Sequence, residues 1–380
     1  MTVAVAPWVD RIRAAAADQR PLRIRGGGSK DFYGRHLEGE LLETAGLSGV
    51  QSYEPSELVV TVGAGTPLTD LEVLLADKGQ CLPFEPPHFT WSGARAATVG
   101  GVVASALAGP ARASAGGVRD YVLGVQMING KGEHLTFGGQ VMKNVAGYDV
   151  SRLMVGSMGT LGLLTEVSLK VLPVAPAEAT LCFELPQAQA LEQLHTWGGQ
   201  PLPLNASCWV RDDTPVGGAR DLLFVRLRGA VAAVQAACRK MLAEQSGYCM
   251  DNALAQPDWA LCRNQQLPFF LQAPSSERVL WRVSVAQTAP VLDLPWAQLV
   301  EWHGGLRWLW APRSAAQQLS ELAREYGGHA TLFVAGNACS AGAEGTFASK
   351  NAAELAIEAR LKASFDPHGV FNPGRLSAAY

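Results

Sequence analysis

The stretch RIRGGGSKDFYG, residues 23–34, sets Gly26, Gly27, Gly28, Ser29 and Lys30 directly after a short apolar-basic run with strand character. Glycine tolerates both signs of φ, so successive backbone N–H groups there can share one concave face. Such a nest holds phosphate oxygens, and Ser29 and Lys30 add a hydroxyl donor and a positive charge. The spacing is not that of a Walker A loop, and no GxGxxG occurs in the chain. Taken alone, a GGGS turn is more often a hairpin or linker than a phosphate site. Three further segments shift that balance. AATVGGVVASALAG (96–109) offers small residues against which a planar ligand can lie flat, and ASAGGVRDYVLG (113–124) turns tightly into a strand. GGQVMKNVAGYDVSRLMVGSMGTLGLLTEVSLKVLP (138–173) ends in another glycine-rich turn before a strand. Separated glycine segments converging on one extended ligand are a pattern that a linker does not produce.

Other chemistry-bearing residues are scattered. Histidines at 36, 88, 134, 195, 303, 329 and 368 show no metal-ligand spacing. Cys81, Cys182, Cys208, Cys238, Cys249, Cys262 and Cys339 occur singly, with no CxxC, so neither an iron–sulfur cluster nor a structural zinc is signalled. They read as reduced, mostly buried thiols of a cytosolic protein. Arg211, Arg226, Arg228 and Arg307 could meet a carboxylate, although exposed or core-edge arginines are the plainer reading. Eight of the ten tryptophans lie beyond residue 190, as core packing, or as a ligand wall or protein interface.

These residues need elements to position them. The 380 residues, 48% hydrophobic and with net charge −3, allow two large cores. No basic block suggests nucleic acid, and no run of 18 apolar residues suggests a membrane span. The N-terminus lacks the pattern of a signal peptide. Low charge also hints at surface covered by a partner. Before residue 165, β-branched runs such as ELVVTVGAG and YVLGVQMING alternate with glycine clusters. Pro67–Lys78 carries apolar residues at helical spacing, and INGKGEHLTF reads as a hairpin whose Asn129-Gly130 supplies positive φ. After a Pro/Ala break, strand-like TLCFEL, NASCWVR, DLLFVRLRG, RVLWRVSVA, LRWLWAP and HATLFVAG alternate with helical runs at 187–197, 230–246 and 313–326. Two strand–helix–strand sets predict ferredoxin-like units on an antiparallel sheet. A last helix, 350–364, leads into FDPHGVFNPGRL.

As an ordered set, RGGGSKDFYG, TVGG-VVAS, VRDYVLGV and KNVAGYDVSRL-MVGSMGTLG resembles the FAD-binding domain of the vanillyl-alcohol-oxidase (PCMH) type. FGGQVMKNVAGYDVSRL together with LKASFDPHGVFNPGRL is similar to the FAD-binding subunits of bacterial glycolate oxidases. The likeness covers nearly the full chain, strongly in 20–175 and 355–376 and thinly between. It implies an α+β protein: a two-part FAD-binding domain (1–175), a ferredoxin-like cap (176–348), and a C-terminal segment (349–380) returning to the FAD domain.

The resemblance makes Gly26, Gly27, Gly28, Ser29 and Lys30 the pyrophosphate loop. It sets Thr98, Gly100, Gly101 and Ser105 along the ribityl and isoalloxazine, and matches Gly116 to a glycine of the segment ending in Arg119-Asp120. It puts Gly159, Thr160, Gly162 and Leu164 at the adenine-side half, and lets Asn372 return the C-terminus to the flavin. Some relatives link a loop histidine to the flavin; Gly27-Gly28-Ser29 stands here, implying non-covalent FAD. Met158 replaces a glutamate and Ala115 a tyrosine common in relatives. Related hydroxy-acid dehydrogenases carry a His-Gly-Asp-Gly-Asn-type segment; the late segment GGHATLFVAGNACSAGAEG, with His329 and Asn337, does not match it. The implied role is a flavin-carrying subunit that shares electron transfer with a catalytic flavin subunit and an iron–sulfur subunit. Glycolate or D-lactate would be the substrate of the complex. An autonomous FAD-dependent 2-hydroxy-acid dehydrogenase and a degenerate scaffold stay open as alternatives. The expected location is cytoplasmic, with peripheral attachment to the inner membrane through partners left open.

Overall fold

The computed structural model describes residues 5–35, 38–90, 96–139, 149–213, 218–271, 273–334, 347 and 350–377. His36, Asn337, Cys339 and the first part of KNVAGYDVSRL lie outside the described residues. The chain forms two compact units, one of residues 1–107, 117–173 and 340–380, the other of 108–116 and 174–339.

In the first unit, the helix Ala6–Ala17 has proline in its first turn, where a missing N–H costs nothing, and buries Ile12 and Ala15. These join Leu22, Leu42, Leu47, Val370 and Phe371 in one apolar cluster. Strands β1 (Leu22–Arg25) and β2 (Glu40–Glu43) pair in parallel. The C-terminal segment also pairs with β1: Leu22 N donates to Val370 O at 2.7 Å, and Asn372 N to Leu22 O at 3.0 Å. Beyond this small layer, strands β3 (Val50–Glu54), β4 (Val59–Gly63), β5 (Gln80–Cys81), β6 (Val122–Ile128), β7 (His134–Gly138), β8 (Leu163–Lys170) and β9 (Leu172–Pro173) follow. Five of them form an antiparallel sheet in the order β3-β4-β8-β6-β7, and β5 pairs with β9. Helix Leu68–Ala76 buries Leu68, Leu71 and Leu75, the i, i+3, i+7 stripe of an amphipathic helix.

The β6–β7 hairpin forms, but its turn differs from the expectation. Positive φ falls at Gly132 (+71°), not at Asn129-Gly130. Asn129 closes the turn through its side chain, Oδ1 accepting from the N–H groups of Lys131 and Glu133, each at 3.0 Å. Gly130 is needed for close approach instead: a Cβ there would lie 2.7 Å from Asp366 Cα.

The second unit is built on one eight-stranded antiparallel sheet. Its strands are β10 (Ala177–Glu184), β11 (Leu204–Asp212), β12 (Arg220–Gly229), β13 (Gly247–Cys249), β14 (Arg278–Ser284), β15 (Gln298–Glu301), β16 (Leu306–Pro312) and β17 (His329–Val334). The order β13-β10-β12-β11-β15-β16-β14-β17 is two ferredoxin-like sets joined edge to edge through β11 and β15. In the first set both crossovers are helices, Gln187–Gly198 and Val231–Glu244; in the second, only Ala316–Glu325 is present. The β14–β15 connection, VAQTAPVLDLPWA, has prolines at 290 and 295 and forms no helix. Two further helices, Asn252–Arg263 and Pro268–Leu271, lie between the sets.

Strand alternation divides this sheet into two chemistries. Leu181, Phe183, Leu223, Val225 and Val300 pack against the crossover helices around Trp197, and Trp281, Val283, Leu309 and Leu332 pack similarly around Leu319. Each such buried side chain contributes roughly 1.5–3 kcal/mol of transfer free energy. Partners in register on the opposite face include Thr180, Arg226, Cys208, Glu301, Trp308 and Arg282. A polar and aromatic face therefore backs an apolar one. No helix among the described residues is long and apolar enough to cross a membrane. Cys182, Cys208 and Cys262 are buried, Cys81 and Cys238 half-buried and Cys249 exposed, all as free thiols.

Candidate functional site

In the first unit, β1 runs straight into the glycine loop, and the loop forms one wall of a cavity of about 240 Å³. Gly26, Gly27, Gly28, Ser29 and Lys30 line it together with Thr98, Gly101, Ser105, Met158 and Asn372. Gly28 has φ of +79°, the left-handed conformation that turns successive amides toward one side. The backbone N–H groups of Gly26, Gly27, Gly28 and Ser29 donate to no acceptor among the described residues. An unpaired run of amides beside a cavity calls for an acceptor from outside the chain.

The charge agrees with the geometry. Arg23, Arg25, Lys30 and Arg375 line the cavity against a single acid, Asp31. Arg25 Nε pairs with Asp31 at 2.7 Å. Arg23 Nε is buried without a hydrogen-bond partner among the described residues. Lys30 Nζ donates to Pro87 O at 3.2 Å and Ser29 Oγ at 3.3 Å, and sits 5.5 Å from the centre of the Phe89 ring. Arg375 is almost fully buried, which lowers its pKa to about 10, with Asp31 and Tyr33 acting in the opposite sense. Its Nη1 donates to Arg35 O at 2.6 Å and its Nη2 to Lys30 O at 3.2 Å, so it holds the exit of the glycine loop. A diphosphate fits this wall: it supplies several acceptor oxygens and negative charge to free amides and an unpaired guanidinium.

The other sequence-derived residues divide into lining and supporting positions. Thr98 caps the helix Val99–Ser105, its Oγ1 accepting from Gly101 N at 3.3 Å, and Ser105 Oγ donates to Val102 O at 3.2 Å. Gly100 lies off the cavity, where N donates to Ala64 O at 2.7 Å and a Cβ would come within 2.9 Å of that residue. Asn372 is buried with φ of +41°. Its Oδ1 accepts from Ile24 N at 2.8 Å and its Nδ2 donates to Met158 O at 2.7 Å, which ties the C-terminal segment to both β1 and the 157–160 turn. A Cβ on Gly159 would lie 2.7 Å from that Nδ2. Thr160 O accepts from buried Lys362 Nζ at 2.8 Å, and the same ammonium reaches Asp366 Oδ2 at 2.7 Å. A Cβ on Gly162 would lie 2.8 Å from Ile128 O, and Leu164 is buried in β8 opposite Met127. Gly116 ends the short helix Arg112–Ala115 at φ of +94° and is grouped with the second unit.

Sequence reading missed three of the four cations that line the cavity. Arg23 and Arg25 stand two apart in RIR, so strand alternation directs both to one side. Arg375 ends the NPGR motif, whose asparagine is the residue the resemblance points to. A second cavity, of about 540 Å³, lies in the second unit between the polar sheet face and the helices Asn252–Arg263 and Pro268–Leu271. Trp259, Phe269, Trp296 and Trp310 line it, and it holds no glycine loop.

Comparison with known proteins sets the class first. Residues 7–138 match the sequence model of a family described as FAD binding domain, and an FAD-binding flavoprotein is what the amide nest and its cations suit. Over 372 residues the chain is 44% identical to glycolate oxidase subunit GlcE of Escherichia coli (strain K12), covering 97% of this chain and 96% of that protein. The chain belongs to that family. Glycolate oxidase subunit GlcD of Bacillus subtilis (strain 168) is 32% identical over 46% of this chain and 36% of its own length. D-lactate dehydrogenase of Archaeoglobus fulgidus is also 32% identical, over 44% of this chain and 36% of its own. Among solved structures, alkyldihydroxyacetonephosphate synthase shares the fold, with a TM-score of 0.67 at 15% identity over 98% of this chain and 76% of that one.

Proposed function

We propose that this chain is the flavin-carrying subunit of a 2-hydroxy-acid dehydrogenase complex, with glycolate or D-lactate as substrate and FAD held without a covalent bond. The observation that carries the reading is the run of free amides at Gly26–Ser29 beside Arg23, Arg25, Lys30 and Arg375. FAD supplies the electron acceptor for oxidation of a CH–OH group. The residues of this chain bind and orient it. The glycine amides hold diphosphate oxygens, and the cations offset their charge. Thr98, Gly101 and Ser105 lie along the extended cofactor, with Gly100, Gly159, Thr160, Gly162 and Leu164 shaping the backbone behind it. Asn372 positions the loop from behind. Gly27-Gly28-Ser29 offers no histidine for a flavin link.

The proposed partners are a catalytic flavin subunit and an iron–sulfur subunit. This division of labour is supported by the full-length likeness to a protein named as an oxidase subunit, while likeness to GlcD and D-lactate dehydrogenase covers under half the chain. It is supported also by the missing His-Gly-Asp-Gly-Asn-type segment. The test is anaerobic titration of the purified chain with glycolate and D-lactate, alone and with its partners, followed by flavin absorbance. The expected result is a yellow chain, bleached by neither acid alone and by one of them in the complex. Bleaching of the chain alone would overturn the division of labour; a colourless chain that cannot be reconstituted would overturn the cofactor role.

A further inference from the structure

The second unit carries a pair of thiols that neither the glycine-loop cavity nor the proposed chemistry uses. Cys238 lies on the helix Val231–Glu244, and Cys249 ends β13, the strand at one edge of the eight-stranded sheet. The helix stops at Gln245, whose backbone is extended (φ −136°, ψ 131°), and the chain returns at once along the sheet. Gly247 permits the close approach of β13, since a Cβ there would lie 2.5 Å from Cys182 O.

Register sets the direction of Cys249. It pairs with Leu181 of β10, and residues directly opposite in an antiparallel pair share a face. Leu181 belongs to the apolar cluster under the crossover helices, and Cys238 packs against the same cluster. The helix Val231–Glu244 packs on β13 as well as on β10. The two thiols therefore come together at the rim of that cluster, in hydrogen-bonding contact. Burial, and then Cys249 beside it, push the Cys238 thiol up.

Access separates this pair from other thiols of the unit. Cys249 is exposed and Cys238 half-buried. Cys208 and Cys262 also touch, yet both are buried, and Cys262 Sγ donates to Glu301 Oε1 at 3.2 Å. Cys182 is buried next to Leu181 in β10, hence on the opposite face, beside Tyr248.

We propose that Cys238 and Cys249 form a reversible disulfide when the chain meets hydrogen peroxide, a modification site that ties the edge strand β13 to the helix Val231–Glu244. The sulfur of Cys249, its proton released to solvent, attacks one peroxide oxygen. The O–O bond breaks, hydroxide leaves and recovers that proton as water, and Cys249 becomes a sulfenic acid. The sulfur of Cys238 then attacks that of Cys249; the S–S bond forms, the S–O bond breaks, and the departing hydroxide takes the Cys238 proton. Two thiols lose two electrons, the peroxide gains them, and the products are one disulfide and two waters. No flavin takes part. The link closes a short loop, which restrains β13 and the start of the helix Asn252–Arg263 that walls the larger cavity.

The full-length, FAD-loaded chain is treated with graded hydrogen peroxide, its remaining thiols are alkylated, and its non-reduced peptides are read by mass spectrometry. A Cys238–Cys249 link within one chain is expected at the lowest effective peroxide, reversed by dithiothreitol, with Cys208 and Cys262 still reduced. Cys238→Ser should leave Cys249 as a sulfenic acid that dimedone captures, and Cys249→Ser should leave Cys238 reduced. Cys249 is exposed, so its serine variant is the one least open to misfolding. Oxidised wild type should melt about 5 °C above the reduced chain, a shift that neither serine variant shows. Links between chains, a link of either residue to another cysteine, or no link in excess peroxide would overturn the proposal. Equal melting of the oxidised and reduced chains would overturn the restraint on β13. Since no turnover is read, the disulfide can fail while the flavin-carrying reading stands, and the reverse.

Discussion

At the scale of single residues, the glycine loop illustrates how much depends on a missing Cβ. Gly28 combines φ of +79° with an Arg25 guanidinium that would lie 2.5–2.9 Å from any Cβ. Gly28→Asp therefore strains the backbone, displaces an arginine of the cavity wall and adds negative charge where an anion is to bind. Purified Gly28→Asp should emerge colourless and stay so after incubation with excess FAD, with its far-UV circular dichroism unchanged; a yellow variant would mean that the loop is not the phosphate site. Gly100 works differently: it does not line the cavity, and its absent side chain makes room for Ala64 behind the loop-facing helix.

At the scale of elements, the glycine loop is held by segments that are distant in sequence. The 366–375 stretch pairs with β1 and sends Asn372 to Ile24 N and Met158 O, Arg375 to Lys30 O and Arg35 O. Lys362 joins it to Thr160 O and Asp366. Asn372→Ala removes one buried and one half-buried hydrogen bond and leaves Ile24 N and Met158 O without these partners, a cost of about 2–4 kcal/mol. It should lower thermal stability and weaken FAD affinity together, whereas Asn372→Asp, which keeps the acceptor but loses the donor, should be intermediate only if the Ile24 bond matters. Melting in the presence and absence of FAD separates the two effects. In the second unit the element-level lesson is the β14–β15 connection. Strand pairing alone completes the ferredoxin-like order there, without the crossover helix that the first set has.

At the scale of the molecule, imidazoles whose pKa is lowered by partial burial link stability to pH. His303 is lowered to about 4 by burial, and burial also lowers His134 and His329. The unfolded chain then binds more protons than the folded one between about pH 4 and 6.5, so stability is fully present above 6.5 and declines as pH falls toward 4. For His303 alone the loss is at most about 3 kcal/mol by pH 4. Denaturant unfolding of wild type and His303→Gln at pH 7.5, 6 and 5 should show a difference between the two that shrinks or changes sign as pH falls. A pH-independent difference would mean that the imidazole is not held neutral.

What sequence could settle by itself was local. Glycine runs announced a backbone cradle because a side chain's absence acts on its own residue, and RGGGSK carries that wherever the chain goes. Alternation and helical periodicity likewise located most of the longer strands, since burial follows period two or 3.6 within a few residues, but not short ones such as β2, β13 and β15. Asn129-Gly130 failed as the positive-φ pair because the Asn129 side chain satisfied the turn and a distant residue, Asp366, required the glycine. Tertiary structure alone decided which cations meet. Arg375 reaches the loop across more than 340 residues of chain, and Arg112 reaches Trp302 only because residues 108–116 pack with the second unit. Neither convergence has a local signature. Long-range packing places such side chains, and it depends on shape complementarity between whole elements, which no short window of sequence contains.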